Sequence, residues 1–225
     1  MKWPGARILL TGFEPFPGAP VNPTQWLVAR FIAAPPDLEG AGAFRAELLP
    51  VDYRALQGRL TEIGREFAPD VVVHFGLAGT ANGFRLERVA RNRFESARPD
   101  NAGYRPEDGA ICAAAPLLPS TLPLEAIHAE LTGAGLPVEW SDDAGGYLCN
   151  MAMTLTLAGA CEGMAPSLSG FVHVSPVGPG AALGEADLER GAIIVIGAAA
   201  LAWKQATKAG LPGATAPSGS RSAAG

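Results

Sequence analysis

Cys149 is the penultimate residue of the run Ser-Asp-Asp-Ala-Gly-Gly-Tyr-Leu-Cys-Asn, residues 141–150, and stands just ahead of an apolar, helix-patterned stretch at 151–157. A thiol at a loop-to-helix junction is suited to nucleophilic chemistry. The first N–H groups of a helix carry partial positive charge and favour thiolate over thiol. Most free cysteines are instead small buried hydrophobes, so the reading depends on partners. His173, in Gly-Phe-Val-His-Val-Ser-Pro, ends a predicted strand and is the leading candidate for a base. His74 alternates within Val-Val-Val-His-Phe and reads as a packed residue, while His128 lies on a helix whose polar side can solvate it. A Cys–His pair needs a third group to hold the imidazole. Glu87, in Leu-Glu-Arg-Val-Ala-Arg-Asn, is the best placed acid, although the segment by itself favours an ordinary surface pair with Arg88 or Arg91.

These residues must be positioned by the elements around them. Short apolar runs predict strands at 7–11, 45–51, 70–75, 137–140 and 170–174. Helical patterns fill the intervals: 23–32, with Asn22 as cap and Pro23 at the first helical position; 53–67, capped by Asp52; 124–131; 150–160; and part of 183–208. Alternating strand and helix predicts an open α/β sheet with helices on both faces, its active site on the loops that leave the strand ends.

Three loops rich in Gly, Pro and polar residues follow such strands: 12–22, 76–83 and the stretch ahead of Cys149. The first presents Phe13 and Phe16, either as a staple over the core or as the wall of a substrate pocket. The second lacks the Lys-Ser/Thr of a P-loop and the spacing of a dinucleotide fingerprint.

Composition narrows the function classes. The chain has 225 residues, 48% hydrophobic and 17% charged, with a net charge of −5, which predicts one ordinary globular domain and makes nucleic acid a poor partner. The first ten residues hold too short an apolar core for a signal peptide, and the most hydrophobic run, 192–203, is about half the length a bilayer requires. Neither secretion nor a membrane span is predicted. Cys112, Cys149 and Cys161 form no CxxC pair, which suits a reducing cytoplasm and gives no zinc or disulfide framework. Residues 210–225 are mostly Ala, Gly, Ser and Pro and are expected to form a mobile tail behind a catalytic domain at 1–209.

In order along residues 8–208, these segments resemble the pyroglutamyl peptidase, or pyrrolidone carboxylate peptidase, family. The family's Thr-Gly-Phe-x-Pro-Phe and Val-Asn-Pro are matched at 11–16 and 21–23, and its Gly-x-Ala-Gly loop leading to Glu-Arg-Val-Ala-x-Asn at 76–79 and 87–92. Pro-Asp-Asn-x-Gly-x-x-Pro is matched at 99–106, the cysteine motif at 141–150, and Phe-x-His-hydrophobic at 171–174. The resemblance implies a three-layer α/β/α sandwich around an open twisted mixed sheet. It also implies a cysteine exopeptidase that removes N-terminal pyroglutamyl residues, with Cys149, His173 and Glu87 as its triad and neither metal nor cofactor. Phe13 and Phe16 would flank the lactam, with Tyr147 and Leu148 nearby and Leu77 and Asn22 at its polar edge. Pyroglutamylated peptides would be the partners, and the chain would act as a homo-oligomer, dimer or tetramer.

Some positions depart from the family pattern. Phe84 and Arg85 stand where Ile or Leu and Thr or Ser are usual, Leu77 replaces a Gln, and the segment around Arg98 is one residue short, which weakens the carry-over of Arg98 as an oxyanion group. The altered loop keeps two other readings open: a thiol amidohydrolase acting on a related cyclic or N-acyl amide, and an inactive binding or scaffold homologue.

Overall fold

The computed structural model describes residues 5–210, so the expected tail falls outside the described residues beyond Gly210. Strand β1 (Ala6–Phe13) leads into α1 (Pro23–Ala33). The predicted cap is present: the Asn22 side chain accepts from the Thr24 N–H, and Pro23 opens the helix, where its missing donor costs nothing. Strand β2 (Ala41–Leu49) is followed by α2 (Tyr53–Phe67), which begins where the Asp52 carboxylate accepts from the N–H groups of Arg54 and Ala55. Next come β3 (Val71–Leu77), β4 (Phe84–Glu87), β5 (Val89–Arg91), β6 (Leu117–Pro119), α3 (Leu124–Gly133) and β7 (Val138–Ser141). Helix α4 (Leu148–Leu157), β8 (Leu168–Val174) and α5 (Glu185–Lys208) complete the order.

Six strands form one sheet in the order β2-β1-β3-β8-β4-β7. The first four are parallel; β4 runs antiparallel to β8, and β7 parallel to β4, so the sheet is mixed. Alternation along the strands sorts the side chains onto two faces. Ile8, Leu10, Val71, Val73 and Phe75 pack with α1, α3 and α5, whereas Leu9, Val72 and Phe171 pack with α2 and α4. Both faces are covered, which explains why the central strands read as unbroken apolar runs. No helix among the described residues is long and apolar enough to cross a membrane.

The pair β5–β6 and the strand β4 are the elements that the sequence pattern did not predict. β4 has only four residues and enters the sheet from a turn at Gly83, whose φ of +92° favours glycine. A Cβ there would also lie 2.2 Å from the Pro137 carbonyl oxygen, so the turn admits no side chain. That turn sets β4 against β8, with Arg85 opposite His173 and Glu87 opposite Phe171.

Candidate active site

β4 and β8 bring the acid to the histidine. Phe84 and Leu86 face the core beneath α1, α3 and α5, which turns Arg85 and Glu87 to the other side of the sheet with Phe171 and His173. Glu87 is therefore a diagonal neighbour of His173, within reach of a long side chain. Its Oε1 lies 2.7 Å from His173 Nδ1, and the carboxylate is fully buried. The alternative surface pairing is taken up by other acids. Arg88 bonds Asp142, and Arg91 pairs with Asp143.

α4 brings the thiol. The helix starts two residues earlier than predicted: Tyr147 is its extended N-cap, and Cys149 stands in the first turn rather than just outside it. No side chain caps this end, so the first-turn N–H groups around Cys149 carry their partial positive charge without a capping side chain. Asn150, the next residue, fixes the helix in place by pairing with backbone as a strand would. Its Oδ1 accepts from Arg91 N at 2.9 Å, and its Nδ2 donates to Arg91 O at 2.7 Å. Thus the helix that carries Cys149 is tied to the strand that continues from Glu87.

Space for the sulfur comes from Gly76, which is registered with His173 in the β3–β8 pair. A Cβ on Gly76 would lie 3.0 Å from Cys149 Sγ and 2.6 Å from Cζ of the fully buried Phe171. Gly76→Ala is therefore expected to destabilise the protein by about 1–3 kcal/mol, read by urea unfolding. It should also slow alkylation of Cys149 by iodoacetamide severalfold at neutral pH, and an unchanged rate would show that the sulfur does not depend on this gap.

His173 is 6% exposed and packs on the Phe171 ring, with centroids 4.6 Å apart. Burial pulls its pKa down, but the neighbouring Cys149 sulfur and the Glu87 carboxylate outweigh this and leave it raised to about 9. With Nδ1 bonded to Glu87, Nε2 is the ring nitrogen left to exchange a proton with the thiol or with a bound molecule. The other histidines do not join this group. His74 is buried between the hydroxyls of Thr11 and Thr156, at 2.7 and 3.0 Å, and burial pushes its pKa down to about 3. His128 stacks on Trp140. Of the remaining cysteines, Cys161 is buried, and burial pushes both its thiol and that of Cys112 up, away from reactivity.

Two spaces meet at Cys149. One is a narrow recess of about 10 Å³ lined by Phe13, Phe16, Asn22, Val51, Leu77, Tyr147, Leu148 and Cys149. All six residues named from the sequence for a ring pocket are in it, and Val51, a plain apolar residue after β2, was not foreseen. The other is an open cavity of about 490 Å³ that includes Cys149, His173, Arg85, Arg98, Thr80 and the loop at 143–147.

Loop 97–104 borders the open cavity through Arg98. Buried Asp100 accepts from the N–H groups of Tyr53, Ala102 and Tyr104, and Asn101 donates to the Pro15 carbonyl. The Tyr147 hydroxyl donates to the Pro99 carbonyl at 3.1 Å, and the Arg98 guanidinium lies 4.8 Å from the Tyr147 ring centroid and 5.9 Å from that of Phe16. Despite the shortened segment, Arg98 thus reaches the cavity that contains Cys149. Chemically, a thiol at a helix N-terminus, a histidine oriented by a buried carboxylate, and an apolar recess beside them can carry out acyl transfer.

Comparison with known proteins places this arrangement in a family. A family model described as pyroglutamyl peptidase matches residues 6–202. The pyrrolidone-carboxylate peptidase of Thermococcus onnurineus is 38% identical over 169 residues, covering 75% of this chain and 82% of that protein. That of Chromobacterium violaceum is 41% identical over 151 residues, covering 65% and 69%. Among solved structures, the pyrrolidone carboxyl peptidase from Thermus thermophilus superposes with a TM-score of 0.74 at 34% identity, covering 84% of this chain and 98% of that one. A mutant of the Pyrococcus furiosus enzyme gives 0.78 at 31% identity, covering 86% and 97%. The match across nearly the whole described fold, together with the thiol, histidine and carboxylate gathered at one rim of its sheet, shows that the chain belongs to the pyroglutamyl peptidase family, hydrolases of the cysteine-peptidase type.

Proposed function

We propose that the chain hydrolyses the amide bond that follows an N-terminal pyroglutamyl residue, using Cys149 as nucleophile, His173 as acid and base, and Glu87 to orient the imidazole. The observation that carries this reading is the 2.7 Å Glu87–His173 bond with Cys149 at the boundary of the narrow recess and the open cavity. The Cys149 thiolate adds to the carbonyl carbon, and negative charge develops on the carbonyl oxygen. The first-turn N–H groups of α4 and the Arg98 guanidinium stabilise that oxygen. The C–N bond then breaks as His173 gives its Nε2 proton to the departing amine, leaving a thioester. Water attacks the thioester carbonyl, passes a proton to His173 and releases pyroglutamate with regeneration of the thiolate.

Selectivity rests on the recess. Phe13, Phe16 and Tyr147 offer apolar surface to a flat ring, and an open-chain residue would bring a charged ammonium into that surface without compensation. At about 10 Å³ the recess holds roughly one water. Phe16, on the 14–22 loop, is its half-buried wall. The test is release of fluorophore from a pyroglutamyl aminocoumarin amide, compared with the open-chain glutamyl amide. Turnover confined to the lactam is expected; comparable turnover of the glutamyl amide would overturn the assignment.

A further inference from the structure

Resting on that reading, we propose that Arg85 selects substrates in which the residue after pyroglutamate bears a carboxylate. His173 must protonate the departing nitrogen, and it lines the open cavity but not the narrow recess. The leaving portion of the peptide therefore occupies the open cavity. Arg85 is placed beside this path by the sheet itself, directly opposite His173 in the β4–β8 pair, and it lines the same cavity.

The guanidinium is held in position. Its Nε donates to Glu139 at 2.6 Å, Nη2 to the Thr80 carbonyl at 3.0 Å and Nη1 to the Thr80 hydroxyl at 3.3 Å, which leaves N–H donors to spare. Such a fixed fork suits a carboxylate and loses little entropy on binding it. The charge around the cavity points the same way. Its two carboxylates, Glu95 and Asp143, are each paired with an arginine that does not line it, Arg93 and Arg91 respectively. Arg98 adds a second guanidinium, lying over the Tyr147 ring. Glu139 answers part of the Arg85 charge through Nε, so a negative group one residue beyond the scissile bond meets the N–H donors that Arg85 keeps free at Nη1 and Nη2 and the Arg98 guanidinium, which pairs with no acid among the described residues; a lysine or arginine there finds no such partner.

A carboxylate at this position has two sources, the free C-terminus of a pyroglutamyl dipeptide or an acidic side chain. The experiment compares kcat/KM for pyroglutamyl-alanine with that for its amide, and for pyroglutamyl-glutamate amide with that for pyroglutamyl-glutamine amide. The wild type is expected to prefer the carboxylate member by about tenfold in at least one pair, an effect of the size a partly buried charge-assisted hydrogen bond supplies. The pair that shows it identifies the source. Arg85→Gln should bring the ratio to about one, Arg85→Lys should keep part of it, and added salt should shrink it in the wild type. Because the readout is a ratio within each protein, a general loss of activity in a variant does not mimic the effect. Flat ratios in the wild type, or a preference that survives Arg85→Gln, would overturn the role of Arg85 while leaving hydrolysis of the aminocoumarin amide intact. Absence of turnover on every pyroglutamyl substrate would instead overturn the underlying activity.

Discussion

Cys149→Ala is expected to lower hydrolysis of a pyroglutamyl amide by at least about 10⁴-fold, because no other group at the site can form the thioester. The protein should remain folded, since Cys149 is only half-buried and alanine is favourable in a helical first turn. Its unfolding free energy, read from urea titration, should change by no more than about 1 kcal/mol. A second effect distinguishes loss of the nucleophile from loss of the site. The His173 pKa of about 9 owes part of its elevation to the Cys149 sulfur, so it should fall in the variant, as followed by NMR titration of the ring. Retention of even a few per cent of turnover in Cys149→Ala would show that another group attacks the carbonyl.

Glu87→Gln carries the next largest effect. The carboxylate is fully buried, and its Oε2 has no hydrogen-bond partner among the described residues, so its charge is answered chiefly through Oε1 by His173. A neutral amide keeps the shape but no longer stabilises the imidazolium, and it can present its NH₂ to Nδ1 and impose the wrong tautomer. A fall in kcat of about 10²–10⁴-fold is expected, in keeping with the loss when the orienting acid of a catalytic triad is neutralised. Stopped turnover in Glu87→Asp together with full activity in Glu87→Gln would show that Glu87 acts through packing rather than charge.

The pH dependence follows from the same pair. In the proposed mechanism His173 carries the proton that releases the amine, so kcat/KM should decline as pH rises through about 9, and that limb should move to lower pH in Glu87→Gln. The linked stability has the same sign. The folded pKa lies above the ordinary value of 6.5, so the contribution is fully present below 6.5 and is lost as pH rises through about 9.

Much of this was legible in the chain because it depends on neighbours a few residues apart. Asn22 with Pro23 and Asp52 announce helices that begin within a residue of the expected positions, since a cap bonds to N–H groups two or three residues on. The runs ending at Thr11, Phe75 and Val174 mark buried parallel strands. Cys149, His173 and the ring-pocket residues could be named from motif and position at strand or helix ends.

What the chain did not disclose is carried by long-range pairing. Four residues of β4 are too few for a periodic signal, and only pairing with β8, 86 residues away between Glu87 and His173, buries Glu87 and frees Arg88 and Arg91 for Asp142 and Asp143. Nothing local distinguishes Gly76, at the end of β3, from the chain's other glycines until Cys149 and Phe171 arrive from later segments to fill its missing side chain's place. Val51 in the recess and Arg85 in the cavity are silent in sequence for the same reason. Residue types, caps and periodicity determined by themselves which groups could react and which elements hold them. The antiparallel placement of β4 determined which groups meet, because strand pairing is fixed by burial of both faces of the sheet and not by any residue's immediate neighbours.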